Sequence, residues 1–115
     1  TLNRPEALNA LSLPMLEAIY AQLQVWSVQS DIQAVIINST SAKAFCAGGD
    51  IRFFHRASIA SDPDLEAFFT EEYRLNHLIF NYPKPYIAFM DGIVMGGGMG
   101  KKKKGYAKGG AARRK

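Results

Sequence analysis

Residues 86–100 read YIAFMDGIVMGGGMG, and this stretch narrows the possible folds more than any other. A strand-like apolar run, Tyr86 to Met90, breaks at Asp91-Gly92, resumes as Ile93-Val94-Met95 and meets Gly96, Gly97 and Gly98. Strand, turn and glycine cluster in that order mark a place where backbone must come close to something. Where a helix begins at such glycines, its first N–H groups are unpaired and point at one spot. That spot suits a phosphate or a developing oxyanion. A flexible turn accounts for three glycines equally well. A second segment of the same kind tips the balance: Ala44 to Ile51 reads AFCAGGDI. There a buried strand runs into a loop with paired glycines, and Asp50 is placed to cap the short helix that follows.

Two phosphate-binding motifs fail at the glycine cluster. A Walker loop needs glycine where Met95 stands and a hydroxyl residue where Lys102 stands. The dinucleotide fingerprint needs a third glycine where Lys101 stands.

The 115 residues make one small domain, and an apolar fraction of 48% argues against disorder for its body. The single cysteine, Cys46, excludes an internal disulfide and a cysteine metal cluster and suits a reducing compartment. A small buried apolar filler suits it better than a nucleophile, because no histidine is near in sequence to activate it. No apolar run of membrane length and no signal-peptide pattern is present, and the chain opens TLNRPEALNAL, as though entered at the end of a strand. The net charge of +4 hides two unlike parts. Residues 1–100 carry six basic side chains against all ten acids, a net of −4, whereas 101–115 carry eight basic residues and no acid. An acidic body with a basic, disordered tail is the expected organisation, with any nucleic-acid contact limited to non-specific attraction through the tail.

Pro5 keeps Arg4 extended before a loop. Ser12 is a plausible N-cap with Pro14 tolerated in the first turn, and Leu16, Ile19, Tyr20, Leu23 and Trp26 line one helical face ending near Ser30-Asp31. Ala34 to Ile37 reads as a short buried strand. Asp62-Pro63 starts a helix that Pro83 and Pro85 stop near Tyr82. Its apolar face holds Leu65, Phe68, Phe69, Leu75 and Ile79. Glu72 falls at the centre of that face and Glu71 well off it. A carboxylate within an apolar stripe is costly unless it has a partner, lines a cavity or reaches solvent by a twist of the helix. His55 and His77 lack metal-ligand spacing, and no metal site is expected.

Taken together, LNRPEALNAL, KAFCAGGDI and KPYIAFMDGIVMGGGMG resemble the opening and the two oxyanion loops of the crotonase, or enoyl-CoA hydratase/isomerase, superfamily. The resemblance covers residues 1–100. It implies an α/β fold, a spiral of ββα units, cut after the glycine cluster, with 101–115 outside the family pattern. It further implies an acyl-CoA substrate, with coenzyme A as part of that substrate and no separate cofactor. The backbone N–H groups of Gly49 and Gly97 would hold the thioester carbonyl oxygen. Three details resemble the 3-hydroxyisobutyryl-CoA hydrolase branch: FCAGGDIR, the EEYRLN segment whose Glu72 matches a substrate-contacting glutamate, and Gly100 where hydratases carry an acid/base glutamate. Glycine moves no proton, so thioester hydrolysis, as in valine breakdown, is expected over hydration. The resemblance places the catalytic glutamate and aspartate beyond the glycine cluster, so residues 1–100 hold the oxyanion hole and Glu72 alone, and hydrolysis by this chain is expected to be absent. Also implied are assembly of like subunits in a full-length protein, no membrane contact, and a cytoplasmic or mitochondrial site in bacteria or eukaryotes respectively.

Overall fold

The computed structural model describes residues 1–95 and the backbone of the short strand 111–113. Helix α1 spans Leu13–Val28. Ser12 is extended, and its Oγ accepts from the Met15 N–H at 3.4 Å; Pro14 lies in the first turn, where its missing N–H leaves nothing unpaired. The helix stops at Val28, short of the expected Ser30. There Lys84 Nζ donates to the carbonyls of Trp26 and Gln29, each at 2.5 Å, and satisfies the C-terminal acceptors with a cation. Tyr82 adds a buried bond from its hydroxyl to the Leu23 carbonyl at 2.6 Å.

Helix α2 spans Ile51–Ala60 and α3 spans Asp64–Phe80. Asp62 starts α3 as expected, its carboxylate accepting from the Asp64 N–H at 2.9 Å. The α1–α3 pair packs on a sheet in which β1 (Val35–Ile37) and β3 (Tyr86–Phe89) run parallel, in the register Val35 to Tyr86 and Ile37 to Ala88. These four side chains are buried towards the helices with Leu16, Leu23, Leu75 and Ile79. The expected fully buried β1 is corrected: Ile36 is 55% exposed, because its side chain points to the face that no described element covers. Within the tail, the backbone of Ala111–Arg113 forms β5, antiparallel to β3, where the sequence suggests no element. Among the described residues, the Tyr86 hydroxyl is the buried side-chain polar atom without a hydrogen-bond partner. Burial, and Tyr82 beside it, push its pKa well up.

A second ladder is two-stranded and parallel. It pairs β2 (Ala44–Cys46) with β4 (Ile93–Val94). Ile93 N–H donates to the Lys43 carbonyl at 3.0 Å and Met95 N–H to the Cys46 carbonyl at 2.9 Å. The turn into β4 depends on Gly92, at φ +83, where a Cβ would stand 2.5 Å from the Lys43 carbonyl carbon. Gly92→Ala therefore meets both a left-handed backbone and a backbone collision. We expect it to lower the unfolding free energy in urea by about 2 kcal/mol or more. A loss within about 0.5 kcal/mol, the range of ordinary surface substitutions, contradicts this close approach.

Candidate active site

Because β2 and β4 are parallel, both chains leave the ladder at the same end. One exit is Ala47-Gly48-Gly49-Asp50. The other begins at Met95, bonded to Cys46, and leads into the triple glycine. Gly97 itself lies outside the described residues, and with it the expected convergence of its N–H with that of Gly49.

The first exit is held on one side by residues 8–11. Ala47 N–H donates to the Leu8 carbonyl at 3.0 Å, Leu11 N–H to the Gly48 carbonyl at 2.6 Å, and Asp50 N–H to the Leu11 carbonyl at 3.2 Å. The last two bonds form a parallel bridge between Leu11 and Gly49. In such a bridge the residue opposite turns its own N–H away from the bonded edge. Gly49 N–H therefore points towards the β4 side, and no described residue accepts from it. Behind it lies an aromatic cluster built from two Phe-Phe pairs, 53–54 and 68–69, with the Phe54 and Phe68 ring centroids 4.9 Å apart. A Cβ on Gly49 would stand 2.8 Å from Phe54 Cε2 and 3.4 Å from Phe68 Cζ, so glycine is needed for contact. Gly49 also lines a cleft of about 300 Å³ with Arg4, Leu8, Ala47, Ile51 and Arg52.

Asp50 caps α2 as expected, its Oδ1 accepting from Phe53 N–H at 3.2 Å. Its Oδ2 takes the Arg4 guanidinium at 2.9 Å, and a second Arg4 nitrogen donates to the Ala10 carbonyl at 2.9 Å. Burial works to raise the Asp50 pKa, but the Arg4 hydrogen bond and charge and the Phe53 and Arg52 N–H groups outweigh it and hold it below the ordinary value.

Asn9 is fully buried with φ +55 and locks the N-terminal turn from within. Its Oδ1 accepts from Arg4 N–H at 2.7 Å, and its Nδ2 donates to Ser39 Oγ at 2.6 Å. Sequence reasoning passed over Arg4, Asn9 and the aromatic cluster as site elements. Only the doubled phenylalanines gave a local signal for any of them.

Glu72 lies half-buried on α3, one turn beyond Phe68 and one turn before Leu75, which are both buried. It has no ion pair or hydrogen bond among the described residues. Glu71 instead pairs with Arg74 at 2.9 Å, and Arg74 lies 4.7 Å over the Tyr20 ring. Phe69, expected on the buried face, is 41% exposed, although its ring packs on Phe54 of α2 and on Phe68. Cys46 is fully buried in β2. Among the described residues there is no group of three potential metal ligands, and no helix is long and apolar enough to cross a membrane.

Helices packed on parallel strand pairs around one core define an α/β domain, in which the two exits of the β2–β4 ladder lead into glycines. The chain belongs to the enoyl-CoA hydratase/isomerase family, whose sequence profile matches residues 1–107. It is 54% identical over 100 residues to the mitochondrial 3-hydroxyisobutyryl-CoA hydrolase of Xenopus tropicalis and 48% identical to that of Homo sapiens, matching 87% of this chain and 26% of each relative. The chain thus spans about a quarter of the length of these curated relatives. Among solved structures, an enoyl-CoA hydratase from Rhodobacter sphaeroides superposes with a TM-score of 0.80 at 42% identity, covering 86% of this chain and 30% of that one. A carnitinyl-CoA dehydratase from Mycobacterium thermoresistibile gives 0.85 at 37% identity, covering 91% and 31%.

The lowered Asp50 pKa sets a pH dependence. Its stabilising contribution is present above the unfolded carboxylate value and is lost as pH falls through the lower folded value. Asp50→Ala should cost about 1–2 kcal/mol at neutral pH, the usual range for a lost cap, with the difference from the parent shrinking in acid. Urea titrations at several pH values check this, and a cost constant down to acid pH contradicts the assignment.

Proposed function

We propose that this chain carries part of the acyl-CoA-binding site of a thioester hydrolase acting on 3-hydroxyisobutyryl-CoA, the activity named for the curated relatives it matches at about half identity. The Gly49 N–H carries the reading: no described residue accepts from it, and it points to the β4 side, where the second glycine exit begins. In this reading Gly49 and Gly97 N–H groups receive the thioester oxygen and stabilise the charge that develops on it when the carbonyl is attacked. Glycine is needed at position 49 because a Cβ there would run into the Phe54 ring behind the donor. The exposed Arg52, beside Gly49 on the cleft wall, offers a cation to the phosphates of the coenzyme. Glu72, with no partner among the described residues on the face it shares with Phe68, accepts a hydrogen bond from the substrate hydroxyl. Water attack and proton transfer belong to acids outside this stretch in the longer family members. The hydratase alternative needs an acid where Gly100 stands. The protein works as an assembly of like subunits, in mitochondria in a eukaryotic source and in the cytoplasm of a bacterium.

Binding to this chain tests the reading by calorimetry. 3-Hydroxyisobutyryl-CoA should bind more tightly than the free coenzyme thiol, and Gly49→Pro, which removes the donor, should erase that difference. Glu72→Gln should reduce the preference for the hydroxyacyl thioester over isobutyryl-CoA by about tenfold, the scale of one hydrogen bond to a charged group. Equal weakening on both thioesters would make Glu72 structural.

A further inference from the structure

Arg4 reaches the Gly49 loop from the far end of the N-terminal turn. Its guanidinium bridges two acceptors, the Ala10 carbonyl and Asp50 Oδ2, both at 2.9 Å. Ala10 precedes Leu11, and Asp50 follows Gly49. The fork therefore ties together the two chains that form the Leu11–Gly49 bridge, one residue from that bridge on each side. The bridge sets the direction of Gly49 N–H, with the Ala47–Leu8 bond before it and the Asp50 cap of α2 after it. Between those restraints Gly48, at φ +95, leaves the peptide freer to rotate than a residue with a side chain would.

We infer that Arg4 is a positioning residue for the Gly49 N–H donor, acting by clamping Ala10 and Asp50 so that the Leu11–Gly49 bridge stays closed. The inference rests on the thioester reading above. Arg4 touches no reacting atom in it. The guanidinium is suited to the task because its planar fork serves two acceptors at once, which a lysine ammonium on a flexible stem does with far less geometric control. The Arg4 backbone N–H, not its side chain, makes the bond to Asn9, so shortening the side chain leaves the buried Asn9 clasp in place. As a stability element the pair contributes little, being partly exposed at Arg4. Its effect is on the aim of one donor.

The test uses the full chain, labelled with ¹⁵N, as parent, Arg4→Gln, Arg4→Lys and Asp50→Asn. Without ligand, Arg4→Gln should speed hydrogen exchange at the Leu11 and Asp50 amides by about tenfold or more, with Leu16 and Val35 unchanged. With 3-hydroxyisobutyryl-CoA, the Gly49 amide proton of the parent should move downfield, and with the free coenzyme thiol it should not. In Arg4→Gln that response should be lost, and Arg4→Lys, which keeps the charge without the fork, should not restore it. Should Arg4→Gln fail to fold, Asp50→Asn retains a good helix cap while weakening the Arg4 bond, and it should show the same local loosening. Exchange that rises equally at Leu16 and Val35 makes Arg4 a general stabiliser and overturns the inference. So does a Gly49 response preserved in the glutamine variant, which leaves the thioester reading standing. A parent whose Gly49 amide ignores the thioester overturns that reading, and the role of Arg4 with it.

Discussion

Three backbone hydrogen bonds between residues 8–11 and 47–50 govern the site, and the rest of the structure serves to hold them. They use the N–H or C=O groups of Ala47, Gly48 and Asp50 and leave Gly49 N–H unspent. An unpaired backbone donor in a folded interior is costly. No described residue accepts from Gly49 N–H, so a partner on the β4 side is called for to meet that cost. The donor is thus made by the chain topology, before any side chain contributes.

Side chains then fix its surroundings. The aromatic cluster of Phe53, Phe54, Phe68 and Phe69 forms a wall behind Gly49 and joins α2 to α3. Asp50 begins α2 and ends the loop in the same residue, so the helix dipole, the cap and the Arg4 ion pair act on one carboxylate. On the opposite side Gly92 lets the chain pass against the Lys43 backbone, which brings β4 alongside β2. The two sites of close backbone approach are therefore coupled through a ladder only a few residues long.

Much of this was legible in the sequence where one residue performs a local task. Ser12, Asp50 and Asp62 read as caps because a short polar acceptor before an apolar-periodic run has few other uses. The strand–glycine order read as close backbone approach because only glycine tolerates it. Arg4 and Asn9 were not legible, because their partners lie up to 46 residues away and no periodicity marks them. The exposure of Ile36 was missed for a related reason. A run of β-branched residues looks buried on both faces, but which faces are covered depends on elements distant in sequence. Position-specific roles at Gly49 and Gly97 came from the family resemblance rather than from local chemistry.

The division of labour between backbone and side chains bears on specificity. An oxyanion hole made of N–H groups, as proposed for this chain, would accept any thioester carbonyl whatever acyl group is attached. Discrimination must therefore come from side chains that meet the acyl group. On α3 the adjacent acids have unlike surroundings: Glu71 is bound to Arg74, which stacks on Tyr20, while Glu72 lies one turn from the Phe68 ring behind Gly49 and has no partner among the described residues. In the proposed reading, a carboxylate with no described partner on a largely apolar face is the one suited to accept a hydroxyl. Of the two neighbouring glutamates, the helix ties Glu71 into an ion pair and leaves Glu72 half-buried beside the aromatic cluster, which is why the proposed hydroxyl contact falls to Glu72.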